Sequence, residues 1–135
     1  MAVTLGSSYV TDGLILHLDA THPASYPGYG RLWRDLSGTG MDFRVNANAF
    51  NATGSIVPYF DFNGSYGCAK SMPNDTIFYN SDMTVLCWTR VKNSTSEWRT
   101  LLRGLSTGGD HHVIIESGAW RMGMYDNGNG SGFNT

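Results

Sequence analysis

Trp98, Trp120 and Tyr125 carry flat aromatic faces, and Asp126 and Asn127 place a carboxylate and an amide directly after the last of them. Sugar recognition uses that combination: a ring stacks on the apolar side of a pyranose while polar groups bind its hydroxyls. Tryptophan in a β-sandwich more often fills the core than forms a ligand platform, so packing is the commoner use of these residues. Cleaving a glycosidic bond asks for more, namely two carboxyl groups about 5 to 10 Å apart. On one strand face that means positions i and i+2, about 7 Å apart. Glu97 and Glu116 are the only glutamates, and neither has an acidic residue two positions away. We therefore expect no catalytic residues, neither a carboxylate pair nor a nucleophilic triad, and a chain that is not an enzyme. His111 and His112 follow Asp110, but neighbouring strand residues point to opposite faces, so both imidazoles do not converge on one ion.

The elements that would position these groups read as strands. Leu14, Leu16 and Leu18 alternate with Ile15 and His17, the two-residue period of an extended chain with one apolar face. Residues 21 to 30 then carry Pro23, Pro27, Gly28 and Gly30, which suit a covering loop held down by the rings of Tyr26, Tyr29 and Trp33. After the turn at 37 to 40, residues 41 to 45 alternate again, with Asp42 and Arg44 outward, as expected near a sheet edge. Residues 59 to 62 predict a short strand with Phe60 and Phe62 inward, and Asn63-Gly64 predicts a hairpin to residues 66 to 69. Residues 83 to 91 are apolar on both parities (Met83, Val85, Cys87 and Val91 against Leu86 and Trp88), which predicts a central strand. Three further strands follow at 98 to 103, 111 to 116 and 120 to 125, paired antiparallel with their neighbours, while residues 126 to 135 have turn composition only.

Composition supports an all-β chain and limits its partners. Of 135 residues 15% are charged and 17 are Gly, which leaves little material for surface helices. A formal charge of -2 with scattered Lys and Arg gives no footprint for nucleic acid. No apolar run reaches the roughly 20 residues of a membrane span, and the amino end lacks the basic start and apolar stretch of a signal peptide. Neither membrane insertion nor conventional secretion is expected. Cys68 and Cys87 are the only cysteines; they lack metal-ligand spacing, and Cys87 reads as a small buried thiol rather than half of a disulfide. Asn51, Asn63, Asn74, Asn93 and Asn129 each begin an Asn-x-Ser/Thr acceptor for N-glycosylation, a pattern that turn composition also explains.

The blocks "GLILHLDATHPASYPGYGRLWRDLSGTG", "FDFNGSYGCAKS", "MTVLCWTRV" and "TLLRG", in that order, resemble the laminin-G-like, concanavalin A-like lectin/glucanase jelly-roll domains of particle proteins in tailed phages and large algal DNA viruses. The leading block is the most specific, because strand, Pro/Gly loop, Trp and Asp-Leu-Ser-Gly come in a set order. The resemblance implies an antiparallel two-sheet β-sandwich, a jelly roll, over residues 13 to 125, with an arm at 1 to 12 and a Gly/Asn-rich tail at 126 to 135. Domains of this kind continue for several strands beyond the segment matching residues 120 to 125, so the sandwich is expected to be incomplete at that edge. Glycosidases of this fold carry Glu-x-Asp-x-x-Glu on one strand, which this chain lacks. Relatives often hold a loop-borne Ca²⁺, for which Asp110, Asp126, Asn127 and Asn129 have suitable oxygens; turn formation accounts for them as well.

These readings converge on a non-enzymatic structural or surface component of a virus or phage particle, whether capsid-associated, decoration or fibre. It would be made in the host cytoplasm and displayed on the virion. Its partners would be other particle proteins or copies of itself, engaged through an open sheet edge after Tyr125. The alternative is a carbohydrate-binding adhesin for host glycans, and after it a glycoside hydrolase.

Overall fold

Met41, Phe43 and Val45 alternate with Asp42 and Arg44, and the period of two drives the first three into a core where they are 5%, 9% and 3% exposed. The computed structural model describes residues 10–53, 56–62, 70–72, 84–91, 99–103, 111–116, 119–126 and 131–134. Their regular structure is almost wholly antiparallel strand, an all-β arrangement with one 3-10 turn at Ala47–Ala49. The chain divides into two compact units, Met1–Ile77 and Phe78–Thr135.

In the first unit β1 (Leu32–Trp33), β2 (Asp42–Arg44) and β5 (Lys70–Met72) form a sheet in the order β1-β2-β5. Leu32 lies opposite Arg44, and Phe43 lies between Trp33 and Ser71. The strand expected near an edge is thus the middle one, because both short neighbours pair with it. A second, two-stranded sheet pairs β3 (Phe50–Asn51) with β4 (Tyr59–Phe60). β4 finds a partner in the preceding segment, and Asp61 N–H reaches back to Ala49 O at 2.7 Å. The expected hairpin from residues 59–62 runs to residues 66–69, which lie outside the described residues.

In residues 14–18 Leu14, Leu16 and Leu18 are half-buried and Ile15 is exposed, but His17 is half-buried as well, so the predicted alternation holds only at its start, and the stretch joins no ladder. Their polar backbone groups are taken by a turn instead: His17 N–H donates to Asp35 Oδ1, His17 O accepts Leu36 N–H, and Ile15 O accepts the Thr39 hydroxyl.

The second unit contains a meander, β6-β7-β8-β9, of β6 (Arg99–Arg103), β7 (His111–Glu116), β8 (Ala119–Asp126) and β9 (Ser131–Asn134). The first three fall where the sequence pattern puts them. β9 does not: it lies in the tail read as turn only, and Met124 and Asp126 of β8 stand opposite its Asn134 and Ser131. The edge after Tyr125 is therefore paired within the chain, since ladder hydrogen bonds need backbone rather than apolar side chains. Residues 84–91 are also corrected. They join no ladder, and Leu86 is 88% and Trp88 98% exposed. Apolar parity records what a strand would bury; pairing requires a neighbour, and among the described residues this stretch has none.

Candidate functional site

Five described side chains of the first unit accept the backbone N–H two residues on: Asp19 from Thr21 at 2.7 Å, His22 from Ala24 at 3.2 Å, Asp35 from Ser37 at 2.9 Å, Ser37 from Thr39 at 3.3 Å and Asn46 from Asn48 at 3.0 Å. Asp35 does most. Its Oδ1 also takes His17 N–H at 2.9 Å; its Oδ2 takes the Ser37 hydroxyl at 2.6 Å, the Thr39 hydroxyl at 2.8 Å and Met41 N–H at 3.3 Å. Thr39 Oγ1 lies 2.9 Å from Ile15 O as well, so one proton serves two acceptors. Behind this turn Asp42 Oδ1 accepts Asp35 N–H at 3.0 Å, which ties the turn to β2.

The Pro/Gly loop is anchored by two adjacent residues. Ser25 is fully buried; its hydroxyl donates to Arg34 O at 2.6 Å and accepts Asp19 N–H at 3.1 Å. Tyr26 is 2% exposed, and its phenol donates to Gly30 O at 2.9 Å, while burial pushes its pKa up and keeps that donor protonated. Its ring meets Phe50 and Phe60 at centroid distances of 4.7 and 4.9 Å, and Phe60 meets Trp33 at 4.4 Å. Gly28 permits this path with φ +92°, a conformation side chains resist. Of the three rings expected to hold the loop, Tyr26 does so; Trp33, half-buried, packs on Phe60 instead, and Tyr29 stands 76% exposed. Phe62, expected inward, stacks on Phe60 at 5.8 Å with its outer side in solvent.

This arrangement holds a loop; it does not move protons. Partial burial alone would raise the Asp35 pKa, but Ser37, the His17 N–H and the Thr39 hydroxyl outweigh it and hold the carboxyl well below the usual range. A carboxylate saturated with N–H and O–H donors is neither a general acid near neutral pH nor an open ligand for a cation. The Asp19 carboxyl is also lowered: the Thr21 hydroxyl and N–H, with His17 and His22, overcome its burial. Among the described residues no group of three or more His, Cys, Asp or Glu is placed to hold a metal ion.

Of the residues proposed for sugar binding, Trp120, Tyr125 and Asp126 share β8, in register with Ile115, His111 and Ser131 respectively. A register irregularity in the β7–β8 pairing falls between the first two positions. Trp98 and Asn127 lie outside the described residues, as do Asp110 and Asn129 of the candidate Ca²⁺ set. Among the glycosylation acceptors only Asn51 is described. It sits in β3, and its amide donates to the Tyr59 hydroxyl at 3.1 Å; Asn63, Asn74, Asn93 and Asn129 lie outside the described residues. Cys87 is exposed and free rather than buried, and Cys68 lies outside the described residues.

The sequence reading passed over Asp35, Ser25 and Thr39, although Asp-Ala-Thr at 19–21 and Asp-Leu-Ser at 35–37 are recognisable side-chain turn signatures. It also passed over Gly-Leu-Ser-Thr-Gly at 104–108, which has the spacing of a nucleophile elbow. An elbow turns from strand into helix; residues 104–110 lie outside the described residues. No helix among the described residues is long and apolar enough to cross a membrane. Compared with protein-family models, curated proteins and solved structures, the chain matches none.

Proposed function

We propose that this chain is a non-enzymatic structural or surface component of a virus or phage particle, based on a laminin-G-like, concanavalin A-like β-sandwich and acting through protein contacts. The observation that carries the reading is the stretch 84–91. It has the residues of a doubly covered strand, yet Leu86, Trp88 and Val85 lie in solvent without a ladder. Water is a poor neighbour for such a segment, and another protein surface is a good one. The particle setting is supported by the resemblance of residues 13–40 to domains of phage and algal-virus proteins. The acids of the first unit support a structural role, because Asp19, Asp35 and Asp42 are spent on backbone donors.

Light scattering of the full chain over a hundredfold range of concentration tests the proposal. Self-association or co-assembly with particle proteins, weakened by the double variant Leu86→Lys/Trp88→Lys, is the expected result. A monomer that ignores its particle partners, or release of reducing sugar from a β-glucan, overturns it. The adhesin reading draws on Trp120, Tyr125 and Asp126 sharing one strand. A glycan array with no hit at high protein concentration removes it.

A further inference from the structure

Asp12 and Gly13 occupy the centre of a turn closed by Leu14 N–H donating to Thr11 O at 3.2 Å. Both are exposed, Gly13 has φ +74°, and the position where a side chain would begin has open space around it. Among the described residues nothing accepts the Gly13 N–H, and the Asp12 carboxyl has no hydrogen-bond or ion-pair partner. The contrast with Asp35 is direct: that carboxylate is saturated, and the N–H following it, on Leu36, is held by His17 O at 2.8 Å. We propose that Asp12-Gly13 is a site of spontaneous isoaspartate formation, at which the Gly13 nitrogen attacks the neighbouring Asp12 side chain.

The Gly13 nitrogen bonds to Asp12 Cγ of the protonated carboxyl. The Cγ–OH bond breaks, and water leaves carrying the nitrogen's proton, which closes a succinimide. Water then returns to one of the two imide carbonyls. Opening the bond to the main-chain carbonyl carbon routes the chain through Cγ and yields isoaspartate; opening the other restores aspartate. One water leaves and one returns, so no oxidant or co-reactant is needed. Glycine favours the attack because it has no Cβ to block it. The product inserts an extra carbon between Thr11 and Leu14 and removes the geometry of their hydrogen bond.

The test is prolonged incubation of the full chain in mildly acidic buffer at 37 °C. Isoaspartate is then located by electron-transfer fragmentation of its peptides and by enzymatic methylation with protein isoaspartyl methyltransferase. Signal is expected at position 12, with none at Asp19, Asp35 or Asp42, and loss of that signal in Asp12→Glu, whose six-membered imide closes far more slowly. Absence of isoaspartate at position 12, or accumulation at Asp35 to the same extent, overturns the proposal. Circular dichroism of Asp12→Glu verifies that the fold is retained.

Discussion

His17 and the Asp35 turn grip each other from both sides: the His17 N–H donates to Asp35 Oδ1 at 2.9 Å, and the His17 carbonyl accepts Leu36 N–H at 2.8 Å. A stretch that reads as a strand is thereby fastened to a turn. Asp35→Asn keeps the shape but replaces one acceptor oxygen with a donor facing other donors. We expect a loss of about 2 kcal/mol, measured by urea unfolding followed through tryptophan fluorescence. An unchanged midpoint would show that the grip is ornamental.

Acid should erase that difference. The Asp35 carboxyl is depressed in the folded chain by its Ser37, His17 and Thr39 donors, against the opposing effect of burial. Its contribution is complete above the unfolded value near pH 4 and is lost as pH falls toward the folded one. Below about pH 4 the unfolded chain binds the extra proton, so wild-type stability declines with acid and the gap to Asp35→Asn narrows. Unfolding curves of both proteins from pH 7 to pH 2 check the sign. A gap that widens in acid would be the wrong one.

Ser25 is the smallest residue with a large role. Its hydroxyl joins Asp19 N–H to Arg34 O with no exposure to water. Ser25→Ala strands both partners and should cost about 1 to 3 kcal/mol. Ser25→Val strands them too and adds volume where there is none, so it should cost more. Equal midpoints for the two variants would mean that the site relaxes freely.

Local pattern was legible where side chains decide the outcome, and illegible where a distant partner decides it. Met41, Phe43 and Val45 are buried as their alternation requires, and β7 has the bounds its apolar run predicts. Leu14, Leu16 and Leu18 are half-buried as expected, but so is His17, because which groups bond this backbone depends on a turn some twenty residues later. β9 has no apolar pattern at all; β8 defines it through the backbone. The Asp35 hub escapes a search for catalytic or metal-binding carboxylates, because a carboxylate's commoner use is to accept N–H groups. Trp33 Nε1 is buried with no hydrogen-bond partner among the described residues, a feature no sequence pattern announces.

β9 makes a further prediction about the meander. β8 pairs with β7 from Ala119 to Tyr125 and with β9 at Met124 and Asp126, whereas β9 is an edge of this sheet. Hydrogen exchange on the isolated chain should show residues 119–126 protected beyond residues 131–134. Rapid exchange throughout 119–126 would put the edge back where sequence composition had placed it.

The stretch 84–91 gives the sharpest division between expectation and structure. As a central strand it would hide Cys87 and Trp88; as described, both are exposed and the thiol is free. A thiol reagent should therefore label Cys87 in the native chain at close to the denatured rate, read by peptide mass mapping so that Cys68 is scored separately. The emission difference between wild type and Trp88→Phe should correspond to a water-exposed indole quenched by acrylamide. Neither result requires a partner, and both should reverse when one is added, because a surface that covers Leu86 and Trp88 also shields the thiol between them. Slow labelling and a blue-shifted, unquenched Trp88 in the isolated chain would mean that the strand is already covered, and the solvent-exposed segment that supports the particle-contact reading would be gone.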